Sequence, residues 1–486
     1  MVIFVYKSRV PILAKNKNLN KFFSSGVQAF AVQILGIFLF YFISLGSKEN
    51  LGLFSWANAL CMFLTTILSF GMEQVVVRRI AVSKVSNWAA SAYLFHSFVG
   101  SSLMLLVLFI IHLFFKNSVR LQVLPFFFIA QAILYIGSPL RQFLNAKEKF
   151  TPYGVIALIS NIGRITAAFL LLEKNQLTIN NIVLVMIGFA FFELAGLLWY
   201  ILTTPQFNFA FKFKFIAYKK LLKESAPQYA AVIFDSSLSR IDWILLGIIS
   251  TSVITADYAF AYRAFEMARL PIAIIAPVIL PVFSRMLNQT NKFDTEKKNL
   301  VKDIFLIEMF IATGLFLCAN ILWVPVISHI TGGKYGVSNA LQFFILSLCI
   351  PLHFFINLLW TLSFSAKKYR NITVVTFISA VSNTALNLIL IPIYGGNGAA
   401  ISFLIASIIQ AGCYVWVVKK ELISFPVMKL VLFYLIASGI YFIGDFISIN
   451  IMMRLGCSVV LYVAFCIILR QIGGKQLGNL KSLLSQ

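Results

Sequence analysis

Apolar and polar residues are grouped along this chain in long blocks. Apolar runs of about 17 to 25 residues, the length a helix needs to cross a hydrocarbon core about 30 Å thick, recur from one end to the other. About fourteen can be placed, beginning near Phe22, Gly52, Asn87, Leu121, Pro152, Ile179, Ala226, Ala256, Lys302, Val337, Ile372, Gly398, Met428 and Gly456, the last being short. The pattern predicts an all-α polytopic membrane protein. Composition agrees: 60% of the 486 residues are hydrophobic, 12% are charged, and the mean hydropathy is +0.91, far beyond what a soluble globular chain carries.

The net charge of +24 would suit a nucleic-acid partner if it were gathered in one patch, but its distribution points to the membrane instead. The basic residues concentrate in alternate connections. These are the N-terminal tail with Lys7, Arg9, Lys15, Lys17 and Lys21, then Arg78/Arg79/Lys84, Arg141/Lys147/Lys149, Lys212 to Lys223, Arg285 to Lys302, Lys367/Lys368/Arg370, Lys419/Lys420/Lys429 and Arg470/Lys475/Lys481. The positive-inside rule then places both termini in the cytoplasm and asks for an even number of spans. The first 21 residues lack a short apolar region ending in a small-residue cleavage site, so a cytoplasmic tail is expected there. The six cysteines and four histidines show neither CxxC nor metal-ligand spacing, and no cofactor or metal is expected.

The chain resembles itself. LRQFLNAKEKFTPYGVIALISNIGRITAAFLLL, from Leu140, is similar to LWTLSFSAKKYRNITVVTFISAVSNTALNLILI, from Leu359. Each closes one span, turns through an Ala-Lys sequence and enters another. Both turns fall on the expected cytoplasmic side, so the halves form a parallel repeat. The expected division is a basic tail at 1–21, a first lobe at 22–204, a linker at 205–225, a second lobe at 226–418, and two further helices and a tail at 419–486. The linker segment PQFNFAFKFKFIAYKKLLKESAP mixes basic and aromatic residues, which suits either a surface lying on an anionic leaflet or a solvated loop.

NLILIPIYGGNGAAIS, from Asn387, resembles the stretch before the twelfth span in polysaccharide transporters of the Wzx-type O-antigen flippase family. That family belongs to a superfamily that includes the lipid II flippase and multidrug exporters of the MATE type. LLKESAPQ, IDWILLG, DYAFAYRAFE and SFGMEQVVVRRIA resemble further parts of it, in its order. The resemblance implies a V-shaped fold of two six-helix lobes plus two C-terminal helices. It also implies a central cavity and export of an undecaprenyl-pyrophosphate-linked oligosaccharide across a bacterial inner membrane, with polysaccharide polymerase machinery as a further partner.

Charges inside spans are costly and mark water-filled surfaces or paired partners. The seventh segment carries Asp235, Arg240 and Asp242, and the eighth carries Arg263, Glu266 and Arg269 at i, i+3 and i+6. Depth counting puts Arg263 near Asp242 and Arg269 near Asp235. These pairs would either tie two helices together or form part of a cargo-binding wall. Arg240 points away from the acids of its own helix and is the best candidate to meet a pyrophosphate, which guanidinium matches in bidentate geometry. Arg164 has Glu193 as the nearest acid in sequence, and the two are expected to pair. Glu73 and Glu308 fall near cytoplasmic ends, at the expected interface.

Gln28, Asn58, Gln131, His353 and Asn357 lie in segments that line the cavity in the resembling family, which makes them sugar-contact candidates; polar residues also hold membrane helices together. Pro271, Pro277 and Pro281 are expected to bend the eighth segment. No catalytic constellation and no phosphate-binding glycine loop appears, so neither a glycosyltransferase or polymerase nor a directly ATP-driven pump is favoured. A cation-coupled multidrug exporter of the same fold is the nearer rival. Coupling to protons or sodium belongs to the exporter reading and is left open by the sequence for the flippase.

Overall fold

The computed structural model describes residues 31–82, 87–207, 211–288, 294–445 and 450–472. Within these, regular structure is helical and no strand occurs. The helices are α1 (Ala31–Leu45), α2 (Lys48–Ser69), α3 (Met72–Val82), α4 (Asn87–Phe114), α5 (Val119–Ala146), α6 (Phe150–Glu173), α7 (Ile179–Thr203), α8 (Phe215–Ile249), α9 (Ser252–Ala268), α10 (Leu270–Asn288), α11 (Thr295–Ile330), α12 (Ala340–Ser365), α13 (Tyr369–Tyr394), α14 (Gly396–Glu421), α15 (Val427–Asp445) and α16 (Ile451–Ile468). Eleven of them, namely α2, α4 to α7 and α11 to α16, are long and apolar enough to cross a membrane. The three remaining expected segments fall on α1, on α8, and on α9 with α10. This is a multi-pass membrane protein.

The chain forms two compact units, Met1–Ser236 and Ser237–Gln486, and the same pattern of helix neighbours recurs inside each. In the first, α5 packs against α2, α3, α4 and α7, and α6 packs on α7. In the second, α12 packs against α9, α10, α11 and α14, and α13 packs on α14. The central helices are also the most enclosed: 67% of the apolar stretch of α5 and 72% of that of α12 is buried, against 17% for α4 and α16. Helices α15 and α16 join the second unit through α11, where the Tyr462 hydroxyl lies 2.6 Å from that of Thr313 and donates to the Phe310 carbonyl at 2.8 Å.

The repeat seen in sequence extends to single turns. After α5, Glu148 takes a left-handed φ of 55°, and the Lys149 N–H bonds back to the Leu144 carbonyl at 3.0 Å. After α12, Lys367 takes a φ of 60°, and the Lys368 N–H bonds to the Ser363 carbonyl at 2.9 Å. Both turns satisfy carbonyls that a helix C-terminus otherwise leaves without partners.

Each unit also holds one broken span. Helix α2 stops at Ser69 because Phe70 and Gly71 turn left-handed, with φ of 48° and 67°. A Cβ on Gly71 would lie 2.9 Å from the Tyr229 backbone nitrogen, while the Phe70 ring stacks on Tyr229 at 4.4 Å. The break frees the Leu68 carbonyl, and His96 Nε2 donates to it at 2.6 Å. In the second unit α9 ends at Ala268 and α10 begins at Leu270, one residue before Pro271. Pro271 has no N–H to bond to the Met267 carbonyl, and its ring crowds the preceding turn, so the eighth segment is interrupted at Arg269 and continues as helix through Pro277 and Pro281.

The basic stretch expected as a linker at 205–225 contains a short 3-10 turn at Pro205–Phe207, and from Phe215 onward it is already helix, continuous with the seventh segment. Tyr218, Leu221, Leu222 and Ser225 recur at helical spacing, with Leu221 and Ser225 fully buried. That amphipathic period, carried through Pro227, is what makes it helical.

Candidate functional site

In the second unit the charged residues of α8 and α9 divide between packing and open faces. Asp242 is fully buried. Its carboxylate accepts from the Tyr258 hydroxyl and from the Trp243 backbone N–H at 2.9 Å, and the Trp243 ring meets Tyr262 edge-on at 5.5 Å. Asp242 therefore faces α9. Arg240 lies two residues earlier, about 200° around the helix, and is half-buried on the other side. It makes no ion pair or hydrogen bond among the described residues.

The expected Asp242–Arg263 pair is not made. Arg263 instead reaches Glu266 on its own helix, Nη1 to Oε2 at 2.6 Å, because a three-residue spacing brings side chains together along a helix, while Asp242 is occupied by a tyrosine. Arg269, expected to answer Asp235, donates to His353 Nδ1 at 3.1 Å and lies 4.9 Å from the centre of the Phe265 ring. Guanidinium only donates, so His353 accepts at Nδ1 and its ring proton sits on Nε2, 3.2 Å from Ser407 Oγ. Ser407 in turn donates to the Phe403 carbonyl at 2.8 Å, and the imidazole stacks on Phe403 at 5.4 Å. Asn357 follows His353 by one helical turn and is half-buried; Asp235 is exposed on α8.

In the first unit, Arg164 and Glu193 pair as expected, Nη2 to Oε2 at 3.6 Å, both buried. Arg141 joins them at 3.4 Å from Glu193 and also donates to the Leu134 carbonyl at 3.0 Å. It lies inside α5, not in the connection where the charge alternation put it. Asn58 and Gln131 bond to each other, Nε2 to Oδ1 at 3.2 Å, joining α2 to α5. Gln28 lies outside the described residues.

The two acids expected at the interface differ in their protein surroundings. Glu73 opens α3 and accepts from Ser138 at 3.0 Å and Tyr93 at 3.4 Å. Glu308 is only 5% exposed, with neither carboxyl oxygen hydrogen-bonded among the described residues. It sits on α11, which α12, α15 and α16 cover, a burial that depth along the sequence does not reveal. Tyr258, Ser407, Ser138 and Arg141 are polar partners that sequence reasoning passed over. No group of three or more His, Cys, Asp or Glu that could hold a metal ion occurs among the described residues.

The fold is shared with solved flippases and exporters. The lipid II flippase MurJ, in an inward closed conformation, is similar with a TM-score of 0.70 and 17% identity, over 92% of this chain and 99% of that one. An inward-facing multidrug resistance transporter of the MATE family gives 0.64 and 13%, over 80% and 94%. The Vibrio cholerae MATE transporter VcmN, in its bent form, gives 0.52 and 13%, over 85% and 100%. No curated protein sequence matches significantly. The model of one family, described as polysaccharide biosynthesis protein, matches residues 18–287, and this chain belongs to that family.

Proposed function

We propose that this protein is a flippase of the bacterial cytoplasmic membrane that moves an undecaprenyl-pyrophosphate-linked oligosaccharide from the inner to the outer leaflet by alternating access. Family membership and the likeness in fold to a lipid II flippase support a lipid-linked cargo. One observation carries the choice of an anionic head group: Arg240 is half-buried and makes no ion pair among the described residues, while its cationic neighbours Arg263 and Arg269 have partners there. A guanidinium in that state is available to phosphate oxygens. Arg263, Arg269 and Arg164, held by Glu266, His353 and Glu193, extend the candidate set as residues whose partners limit the cost of placing charge in a span. Asp235, Asn58, Gln131, His353 and Asn357 are proposed contacts for the sugar moiety. No direct ATP step is invoked; coupling to protons or sodium, both termini in the cytoplasm and delivery to a polymerase complete the proposal.

The test is surface polysaccharide restored in a flippase-deficient cell, normalised to the amount of protein in the membrane. Arg240→Lys should retain part of the export, because charge survives without the bidentate fork. Arg240→Ala and Arg240→Glu should abolish it with protein still present. Normal export by a well-expressed Arg240→Ala removes this residue from cargo binding. Resistance to cationic drugs conferred by the wild-type protein, with no effect on polysaccharide, would instead assign it to multidrug export.

A further inference from the structure

Helices α13 and α14 are joined by the tight turn around Gly395, whose φ is 55°, and pack antiparallel along their length. Near the end where α13 begins and α14 stops, they leave between them a groove of about 280 Å³, lined by Asn371, Val374, Ile378, Gly412, Cys413 and Trp416 among others. Gly412 opens it. A Cβ added there would meet nothing within 4 Å. Val374, Ile378 and Trp416 are exposed, Trp416 to 67%, so the groove faces outward from the unit.

Cations gather at one end of it. Arg370 directly precedes the lining residue Asn371, Lys419 and Lys420 follow the last lining residue of α14, and all three are exposed. The Lys420 ammonium lies 5.5 Å from the centre of the Trp416 ring. In the expected topology this is the cytoplasmic end, beside the leaflet that carries anionic lipids. The shape and charge of the groove narrow the choice of occupant. The eight residues of helix from Asn371 to Ile378 span about 10 Å, and the apolar strip between Val374, Ile378 and Trp416 ends at three exposed cations, an arrangement that an acyl chain with an anionic head group matches.

We propose that this groove binds an anionic phospholipid, one acyl chain lying over Gly412 against Val374 and Ile378 and the phosphate held by Lys420, Lys419 and Arg370. The site is separate from Arg240 and does not depend on which cargo is exported. Its cationic end gives it a preference that an ordinary annular lipid position lacks.

Native mass spectrometry of the purified full-length protein, with phosphatidylglycerol and phosphatidylcholine of identical chains added in turn, tests it. The wild-type protein should retain one phosphatidylglycerol in preference to phosphatidylcholine. Gly412→Leu fills the groove at an open helical position where leucine is also the better helix former, so folded protein should persist. Retention should fall at least about tenfold, equivalent to displacing roughly two buried methylenes. Arg370→Gln, Lys419→Gln and Lys420→Gln should each weaken phosphatidylglycerol retention roughly fivefold and leave phosphatidylcholine unaffected. Equal retention of the two lipids, or undiminished phosphatidylglycerol on folded Gly412→Leu, overturns the proposal. So does a wild-type dimer that Gly412→Leu converts to monomer, since the groove would then be a contact between copies of the chain.

Discussion

Asp242 shows how a charge inside a span is settled by a partner that carries no charge. The Tyr258 hydroxyl and the Trp243 N–H supply its hydrogen bonds, and the whole group is closed off. Tyr258→Phe removes a donor and leaves a buried acceptor short, which costs about 1–3 kcal/mol, and Asp242→Ala should cost at least as much. Because each substitution breaks the same bond, the double variant should lose less than the two singles together. Thermal unfolding of the four proteins in one detergent measures this, and strictly additive losses would show that the bond contributes nothing. Sequence reasoning found the charge and chose the wrong partner, since depth counting compares only charges and passes over tyrosines. It succeeded for Arg164 and Glu193, where the partner was itself charged. It missed Arg141 because a basic residue in the last turns of a span reads as part of the neighbouring connection.

A helix can be interrupted without leaving its place in the fold, and the two interruptions here have different causes. At Phe70–Gly71 the chain turns left-handed against the backbone of α8; at Arg269–Leu270 a following proline stops the helix. Gly71→Ala meets both a φ of 67° and a 2.9 Å approach to Tyr229, so folded protein in the membrane should fall sharply. Gly188, mid-helix in α7 with nothing within 4 Å of an added Cβ, is the contrasting site. Gly188→Ala should be neutral or gain up to about 1 kcal/mol. Fluorescence-detected gel filtration of both variants is sufficient, and equal yields would argue that the Gly71 turn relaxes freely. The proline break was legible in ARLPIAIIAPVILPVF, because proline acts locally. The Gly71 break was not, because SFGMEQVV reads as the end of an apolar run, and what closes on its glycine is a helix more than 150 residues away. The repeated turn was legible in LRQFLNAKEKF and LWTLSFSAKKY because the two copies match in length and in basic residues, and each takes a left-handed residue there.

At the scale of the whole chain, apolar length predicted the helices and charge alternation predicted their direction, and the two are independent. Among the described residues, helices fall where the first puts them, except where α2 and α3, and α9 and α10, divide one segment into two and where α8 absorbs the basic stretch from Phe215 to Ser225. The second is a statement about which face of the membrane each connection meets, and it bears on energetics. If the basic connections lie in the cytoplasm, a pyrophosphate-linked cargo leaves a negative interior, and the membrane potential favours its outward step by about 2.3 kcal/mol per charge per 100 mV. Cysteines placed singly at Lys48, Tyr394, Lys214 and Lys367, with native thiols blocked beforehand, can be labelled on intact cells by a membrane-impermeant maleimide. Lys48→Cys and Tyr394→Cys should react at once; Lys214→Cys and Lys367→Cys should react only after the membrane is permeabilised. The last two positions carry the weight, because Lys214 enters the second half of the chain and Lys367 sits in the turn that repeats Glu148. Labelling of one from outside and the other from inside would require an odd number of crossings between them. The parallel repeat would then fail in the membrane, and with it a potential-assisted export.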